Sequence, residues 1–195
     1  MSVAAAVFAA GRGSRLGGDG AKPLLEWQGR PLLTWALDAA LASGLVPVLV
    51  TVGYRADDVR AAVPAGVEIV DNPEWEEGIA ASLRAVLAAL GPYSEVTAVC
   101  IGLADQPRTG PEAYRRLAAA HEAGAQLAVA TYDTRRGNPV LLARSLWPQA
   151  MELRGDAGAR QLMQSVPVTD VPCDGTGHAD DVDTLEDLGR LQEDQ

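Results

Sequence analysis

Residues 9–25 read Ala-Ala-Gly-Arg-Gly-Ser-Arg-Leu-Gly-Gly-Asp-Gly-Ala-Lys-Pro-Leu-Leu. The stretch follows residues 3–8, an apolar run typical of a buried strand in a parallel sheet, and precedes a helical pattern. A glycine-rich, cationic loop is therefore predicted at the carboxyl end of a strand, where open α/β sheets bind ligands. Because glycines let backbone N–H groups converge on an anion, and Arg12, Arg15 and Lys22 add full charges, the sequence predicts a phosphate site.

Strand-like and helical patterns alternate along the rest of the chain. Apolar, β-branched runs typical of strands occupy residues 46–52, 67–70, 96–103 and 127–132. Apolar residues at helical spacing occupy residues 31–43, 57–63, 77–90 and 111–123. This alternation predicts an α/β protein with a three-layer, Rossmann-like fold, in which helices cover a mostly parallel sheet.

The last third of the chain is less regular. Its patterns predict a short strand at residues 140–142, a helix that opens at residues 155–160 and a strand at residues 166–171. Thr184 and Asp187 have the spacing of a capping box, in which each side chain accepts a hydrogen bond from a free backbone N–H. They predict a terminal helix.

Composition limits the classes of protein that remain. The 195 residues, 48% hydrophobic and 22% charged, suit one folded domain over residues 1–195. A net charge of −10 disfavours nucleic acid as a partner, because binding to a phosphate backbone depends on an excess of Lys and Arg. Cys100 and Cys173 form no metal-binding or disulfide pattern, and no segment has the length of a membrane span. We therefore expect a cytoplasmic protein that does not bind membranes.

Two common phosphate-binding motifs do not fit the glycine loop. The dinucleotide fingerprint requires a third glycine where Leu16 stands, and an acidic residue after the second strand, near Val52, is missing. A nicotinamide or flavin cofactor is therefore disfavoured. The P-loop requires Lys and then Ser or Thr after its last glycine, whereas Asp19 follows the glycine pair and Pro23 follows Lys22.

The pattern that remains resembles a known family. Its further motifs, in order, are Gly53-Tyr54-Arg55, Asn72-Pro73, Trp75, Gly78, Ser82-Leu83, Ala104-Asp105-Gln106-Pro107, Arg136-Gly137-Asn138-Pro139-Val140, residues 155–160 and residues 181–188. With the opening loop, they resemble the MobA/MocA-like nucleotidyltransferases, the molybdenum cofactor cytidylyltransferases and guanylyltransferases, over nearly the whole chain. The likeness to sugar-1-phosphate nucleotidyltransferases is more distant, and it implies the nucleotide-diphospho-sugar transferase type of fold.

The resemblance implies a reaction and its catalytic residues. A phosphate of the acceptor would attack the α-phosphate of a nucleoside triphosphate and release pyrophosphate, a transfer that depends on positioning and charge neutralisation. By resemblance, Arg15 would bind the departing pyrophosphate and Lys22 the α-phosphate. Asp105 and Asp183 would bind Mg²⁺, which prefers carboxylate and phosphate oxygens. The spacer between Gly17 and Lys22 is longer than is usual in the molybdenum-cofactor enzymes.

The resemblance also implies two binding regions. The nucleotide would contact Ala9, Ala10, Gly11, Arg12, Gly13, Lys22, Gly78, Ser82 and Asp105, and the Ala-Ala-Gly form favours CTP over GTP. A molybdopterin-type acceptor would contact Arg136, Asn138, Asp156 and Arg160, whose side chains suit a phosphate and a ring with several donors and acceptors.

Other interpretations remain at the level of sequence. The acceptor could instead be a sugar phosphate or another small phosphorylated metabolite. An interpretation of another class is a non-catalytic chaperone that binds molybdenum cofactor for molybdoenzyme maturation. Under either cofactor-related interpretation, an acceptor molybdoenzyme or its maturation chaperone is an expected protein partner.

Overall fold

A mostly parallel β-sheet forms the centre of the fold. The computed structural model describes residues 2–13, 21–178 and 180–193, without the side chains of residues 157, 160, 185, 192 and 193. Its strands are β1 (Ser2–Phe8), β2 (Glu26–Trp27), β3 (Arg30–Pro31), β4 (Val48–Val52), β5 (Glu68–Asp71), β6 (Val96–Leu103), β7 (Leu127–Tyr132), β8 (Arg135–Ala143) and β9 (Thr169–Pro172). Within the described ranges, seven of them form one sheet in the order β5-β4-β1-β6-β8-β7-β9.

Helices cover both faces of this sheet. They are α1 (Leu32–Ala42), α2 (Ala56–Ala61), α3 (Ile79–Leu90), α4 (Pro111–Glu122), α5 (Trp147–Ala150), α6 (Gly158–Leu162) and α7 (Leu185–Glu193). Buried side chains of α1, α2 and α4 pack on one face, and those of α3, α5 and α6 pack on the other. The predicted three-layer α/β fold is thereby confirmed. No helix in the described ranges is long and apolar enough to cross a membrane.

Strand β1 lies in the middle of the sheet. It pairs in parallel with β4 on one side and with β6 on the other, and residues 3–7 are buried. A strand covered on both faces needs an uninterrupted apolar run, which explains why this segment does not alternate with polar residues. Phe8 lies opposite Thr51 of β4 and Leu103 of β6, so the three strands end at the same edge of the sheet.

Strand β8 departs from the prediction. The apolar run at residues 140–142 is the inner part of a nine-residue strand, Arg135–Ala143, which is antiparallel to both β6 and β7. Asp133 and Thr134 join β7 to β8 with φ angles of 47° and 68°. Two successive positive φ values are typical of a two-residue hairpin turn, so the chain returns beside β7 instead of crossing over the sheet.

A small hairpin, β2 with β3, attaches the C-terminal helix to the body of the protein. Gln28 and Gly29 form its turn, again with positive φ angles of 51° and 71°. Trp27 Nε1 donates a hydrogen bond to the Leu191 carbonyl of α7 over 3.2 Å. The sequence patterns did not predict this hairpin, since each of its strands has only two residues.

Candidate active site

The candidate active site lies where β1, β4 and β6 end. Ala104 N donates a hydrogen bond to the Phe8 carbonyl over 3.1 Å, and Tyr54 N donates to the Ala10 carbonyl over 2.9 Å. The segment after β1 is therefore held between the segments that follow β6 and β4. This arrangement brings the glycine loop beside Asp105, as expected when the carboxyl ends of parallel strands share one edge.

Lys22 packs directly against the glycine loop. It begins a short 3₁₀ helix, Lys22–Leu24, and only 9% of the residue is exposed. A Cβ atom on Gly13 would lie 2.5 Å from the Lys22 Cβ, and Gly13 has a φ of +69°. Glycine is therefore required at position 13 for both space and backbone conformation.

The Lys22 ammonium group bridges two carboxylates. Its Nζ lies 2.5 Å from Asp105 Oδ2 and 2.6 Å from Asp183 Oδ1. Burial lowers the pKa of Lys22, but the charge of Asp105 and the hydrogen bonds to both carboxylates outweigh that effect, so the pKa is raised. The structure thus brings together three of the predicted site residues from distant parts of the chain.

Backbone contacts position Asp183 beside Asp105. Val182 N donates a hydrogen bond to the Asp105 carbonyl over 3.0 Å, and His178 N donates to the Arg108 carbonyl over 3.0 Å. The C-terminal segment therefore runs along the loop that follows β6. This register places the side chain of Asp183 near the end of β6 through contacts between residues far apart in sequence.

The predicted capping box is present and orders the segment after Asp183. Asp187 N donates to Thr184 Oγ1 over 3.1 Å, while Asp187 Oδ2 accepts from Thr184 N over 2.8 Å and from Asp183 N over 3.1 Å. These bonds satisfy free donors at the start of α7. They also fix the backbone of Asp183 at the point where its side chain reaches Lys22.

Asp181 adds negative charge to the same neighbourhood. Its Oδ1 accepts a hydrogen bond from Gln106 Nε2 over 2.7 Å. Partial desolvation of the carboxylate, and then the nearby charge of Asp105, raise the pKa of Asp181. The carboxylate groups at this edge therefore repel one another and favour a cation among them.

Gly110 is a point of close approach between the C-terminal segment and the loop after β6. A Cβ on Gly110 would lie 1.9 Å from the Thr176 carbonyl oxygen, although the φ of Gly110 is an ordinary −86°. We expect Gly110→Ala to lower the free energy of unfolding by about 1–3 kcal/mol, because the clash with backbone can be relieved only by moving the segment.

The test of this close approach is chemical denaturation with a matched glycine variant. Gly189 lies within α7, and a Cβ there would meet no atom within 4 Å. Gly189→Ala should therefore leave stability unchanged or raise it by up to about 1 kcal/mol, since Ala favours helix. Equal stability of the Gly110→Ala and wild-type proteins would contradict the predicted contact.

The two carboxylates fit a magnesium or manganese ion. Asp105 Oδ1 is buried and makes no hydrogen bond among the described residues, so one ligand oxygen is already free of competing donors. No group of three or more His, Cys, Asp or Glu side chains suited to a metal occurs in the described ranges. Two carboxylates are nevertheless enough for Mg²⁺, which usually takes one or two together with phosphate oxygens and water.

A cavity of about 380 Å³ opens beside this cluster. Every described residue that the resemblance assigned to the nucleotide lines it: Ala9, Ala10, Gly11, Arg12, Gly13, Lys22, Gly78, Ser82 and Asp105. The Ser82 hydroxyl accepts a hydrogen bond from Asn72 Nδ2 over 3.1 Å. Arg15, which the resemblance assigns to the departing pyrophosphate, lies outside the described residues.

Trp75 forms part of the wall of the nucleotide cavity and packs against Tyr54. The two ring centroids lie 5.4 Å apart. The Arg12 guanidinium lies 5.5 Å from the centre of the Tyr54 ring. A Cβ on Gly53 would lie 2.6 Å from the Trp75 Cβ, so glycine is needed for Trp75 to approach the end of β4.

A second cavity, of about 580 Å³, adjoins the first. Arg136, Asn138 and Asp156 line it, and Asp156 lines both cavities. The Arg136 guanidinium makes two hydrogen bonds to Asp170, of 2.6 Å and 3.0 Å. The side chain of Arg160 lies outside the described part of the structure, so its predicted contact with the acceptor stays a prediction.

Gly78 joins the two cavities. It has a φ of +109°, and a Cβ there would lie 2.5 Å from Asp156 Oδ1. Gly78 thus allows the segment that carries Asp156 to approach the start of α3. Sequence reasoning missed the apolar residues Phe8, Ile79 and Leu103, which also line both cavities, because their patterns are those of ordinary core residues.

This protein has a mostly parallel sheet with a glycine loop and a carboxylate cluster at one edge, an arrangement that indicates a nucleotidyltransferase. Residues 5–171 match the MobA-like NTP transferase domain, so the chain belongs to that family. Nicotine blue oxidoreductase of Paenarthrobacter nicotinovorans is 33% identical over 202 residues, covering 97% of this chain and 96% of the relative.

Solved structures share the fold. The manganese complex of Rv0371c from Mycobacterium tuberculosis has a TM-score of 0.85 and 30% identity, and the match covers all of both chains. Molybdopterin-guanine dinucleotide biosynthesis protein A from Archaeoglobus fulgidus has a TM-score of 0.72 over 97% of each chain. Its identity of 16% supports the fold alone.

Proposed function

We propose that the protein is a magnesium-dependent nucleotidyltransferase. It transfers a nucleoside monophosphate, with CTP as the favoured donor, to the phosphate of a molybdopterin-type acceptor and releases pyrophosphate. The observation that carries the proposal is the cluster of Lys22, Asp105 and Asp183 at the mouth of a cavity lined by the glycine loop. Nicotinamide and flavin remain disfavoured by the spacing of the glycines.

Each residue has a role that its chemistry supports. Asp105 and Asp183 would hold the divalent cation, which would supply charge neutralisation to phosphate oxygens. Lys22 would stabilise the negative charge that develops at the α-phosphate as the bond breaks. By resemblance, Arg12, Gly11 and Gly13 would contact the phosphates, and Arg15 would bind the departing pyrophosphate.

Donor selection depends on the start of the loop. Ala9 and Ala10 are each 2% exposed and line the nucleotide cavity. Their small side chains let the base approach the backbone, and by resemblance the Ala-Ala-Gly form favours cytosine. The 2-C-methyl-D-erythritol 4-phosphate cytidylyltransferase of Synechococcus, 36% identical over 64% of this chain, supports the same preference.

Pyrophosphate release tests the activity. The protein is incubated with Mg²⁺ and each of the four nucleoside triphosphates, with and without molybdopterin. We expect release that depends on molybdopterin and is fastest with CTP. Release with phosphosugars alone would assign the sugar-phosphate acceptor, and cofactor binding without turnover of any triphosphate would assign the chaperone.

The nearly full-length relative raises one further candidate, an oxidoreductase. It is tested in parallel by following the absorbance of reduced nicotinamide in the presence of an oxidised dye. Oxidation of the nicotinamide with no pyrophosphate release under any condition would overturn the proposed transfer.

A further inference from the structure

Arg84 of α3 connects two segments that are far apart in sequence. Its side chain is 13% exposed. Nη2 donates hydrogen bonds to Glu74 Oε2, over 2.9 Å, and to Glu77 Oε2, while Nη1 donates to the Leu153 carbonyl over 2.9 Å. Glu74 precedes the short 3₁₀ helix Trp75–Glu77, and Glu77 ends it. One guanidinium group therefore contacts both ends of that helix and a carbonyl of the distant segment.

The two segments bound by Arg84, residues 74–78 and 153–156, form walls of the cavities. Three residues of the first segment line the nucleotide cavity: Trp75, Glu76 and Gly78. Asp156 of the second segment lines both cavities. Arg84 is not one of the described residues that line either cavity, so its effect on a ligand would be indirect, through the segments that it binds.

These segments touch at Gly78. A Cβ there would lie 2.7 Å from the carbonyl carbon of Gly155. Because glycine has no side chain, the contact cannot interlock. In the described ranges, no backbone hydrogen bond joins residues 74–78 to residues 153–156. The spacing of the two segments therefore depends on side chains around this contact.

Arg84 supplies the less exposed of the two arginine links across the contact. Arg154 also donates to the Leu153 carbonyl, over 2.8 Å, but it belongs to the same segment and does not tie that segment to α3. The Arg154 guanidinium lies 3.8 Å from Glu77 and its side chain is 61% exposed, so this pair adds little. The planar fork of Arg84 instead holds several acceptors in fixed directions.

We propose that Arg84 is a positioning residue of the nucleotide cavity: it holds residues 74–78 against residues 153–156 and so fixes the shape of the wall that they form. A misplacement of about 1 Å in a binding group can cost about 100-fold in activity, so a link outside the cavity can control binding inside it. That the ligand is a nucleoside triphosphate rests on the proposed function, whereas the link itself does not.

Hydrogen exchange, measured by mass spectrometry without ligand, tests the link. The amides of Glu77 and Leu153 donate to backbone carbonyls over 2.9 Å and 3.2 Å, so their exchange reports the opening of each segment. Arg84→Met keeps an apolar stem but removes every donor. Exchange in peptides that cover residues 74–78 and 153–156 should become at least about 10-fold faster, because both segments open more often.

Arg144→Met is the matched control. The Arg144 guanidinium donates to three backbone carbonyls, those of Gly91, Tyr93 and Val96. It is not one of the described residues that line either cavity. Its replacement should lower the melting temperature, as that of Arg84 should, but without selectively faster exchange in residues 74–78 and 153–156.

Steady-state kinetics of pyrophosphate release separates positioning from stability. Arg84→Met should raise the KM for CTP at least about 10-fold and change kcat less than about 3-fold, because Lys22 and its two carboxylates keep their contacts. Loss of folded protein would lower kcat instead. Arg84→Lys can meet one carboxylate but cannot span all the partners, so it should give an intermediate KM. Arg144→Met should keep the KM of the wild type.

Unchanged exchange in both segments of folded Arg84→Met would overturn the inference. An equal effect of Arg84→Met and Arg144→Met on exchange or on KM would overturn it as well. If Arg84→Met does not fold, Arg84→Lys gives the same comparison, and exchange faster than in the wild type is expected in both segments. If the wild type releases no pyrophosphate with any triphosphate, the proposed function fails, while exchange still decides the link.

Discussion

Replacing Asp105 by Asn should lower the rate of pyrophosphate release at least about 100-fold, equivalent to about 2.7 kcal/mol of activation free energy. Asn keeps the shape of the side chain but lacks the charge that holds a divalent cation. An amide has only one oxygen, so the variant would also lose one of the two ligand oxygens of Asp105, of which the buried Oδ1 has no hydrogen-bond donor among the described residues. Binding of Mn²⁺, measured by electron paramagnetic resonance, should weaken at least about 10-fold together with the rate.

A matched acidic variant separates this effect from a general loss of charge. Asp180 is an exposed carboxylate in the same C-terminal segment, and Asp180→Asn should retain the wild-type rate and Mn²⁺ affinity. Thermal unfolding should show that Asp105→Asn remains folded, because Lys22 keeps its contact with Asp183. Wild-type turnover by Asp105→Asn would contradict the assignment of Asp105 to the metal.

Replacing Lys22 by Met should destabilise the protein by about 2 kcal/mol in the presence of a chelator. The change leaves Asp105 and Asp183 close together without the ammonium group that bridges them. Removing one partner of a fully buried ion pair costs about 3–5 kcal/mol, and the 38% exposure of the Asp183 side chain lessens that cost here. Because Mg²⁺ would replace the missing cation, it should raise the melting temperature of Lys22→Met more than that of the wild type.

The control for Lys22→Met is an exposed ion pair. Arg60 lies 2.6 Å from Asp71, with side-chain exposures of 41% and 68%, and Arg60→Met should cost less than about 1 kcal/mol with or without Mg²⁺. An equal response of both variants and the wild type to Mg²⁺ would contradict the idea that Lys22 and the metal share the two carboxylates.

The composition of the chain offers a direct spectroscopic check on Lys22. Lys22 is the only lysine in the sequence. The other basic side chains are arginines and two histidines. Reductive ¹³C-methylation would therefore give one lysine signal besides that of the terminal amine. We expect this signal to shift when Mg²⁺ is added to the wild type, because the ammonium group leaves the carboxylates. The solitary lysine is a sequence signal that pattern analysis overlooked.

Much of the active-site edge could be predicted from the sequence because it depends on local patterns. Residues 3–8 and 96–103 are apolar runs long enough to be strands, and parallel pairing places the residues that follow them side by side. That alone brings the glycine loop to Asp105. The antiparallel direction of β8 was not predicted, because it depends on Asp133 and Thr134 adopting positive φ values that neither residue type requires.

By itself, the sequence determined the α/β class and the order of the main strands and helices, since both follow from residue spacing. It also predicts phosphate binding by residues 9–25, from their glycines and charges. Tertiary structure alone decided that Lys22 bridges Asp105 and Asp183, because that contact joins residues up to 161 positions apart through the register of the C-terminal segment. It also decided that Ile79, Val140 and Met163 line a cavity. An apolar side chain at a core spacing has the same sequence pattern whether it meets another side chain or an open space, and only packing distinguishes the two.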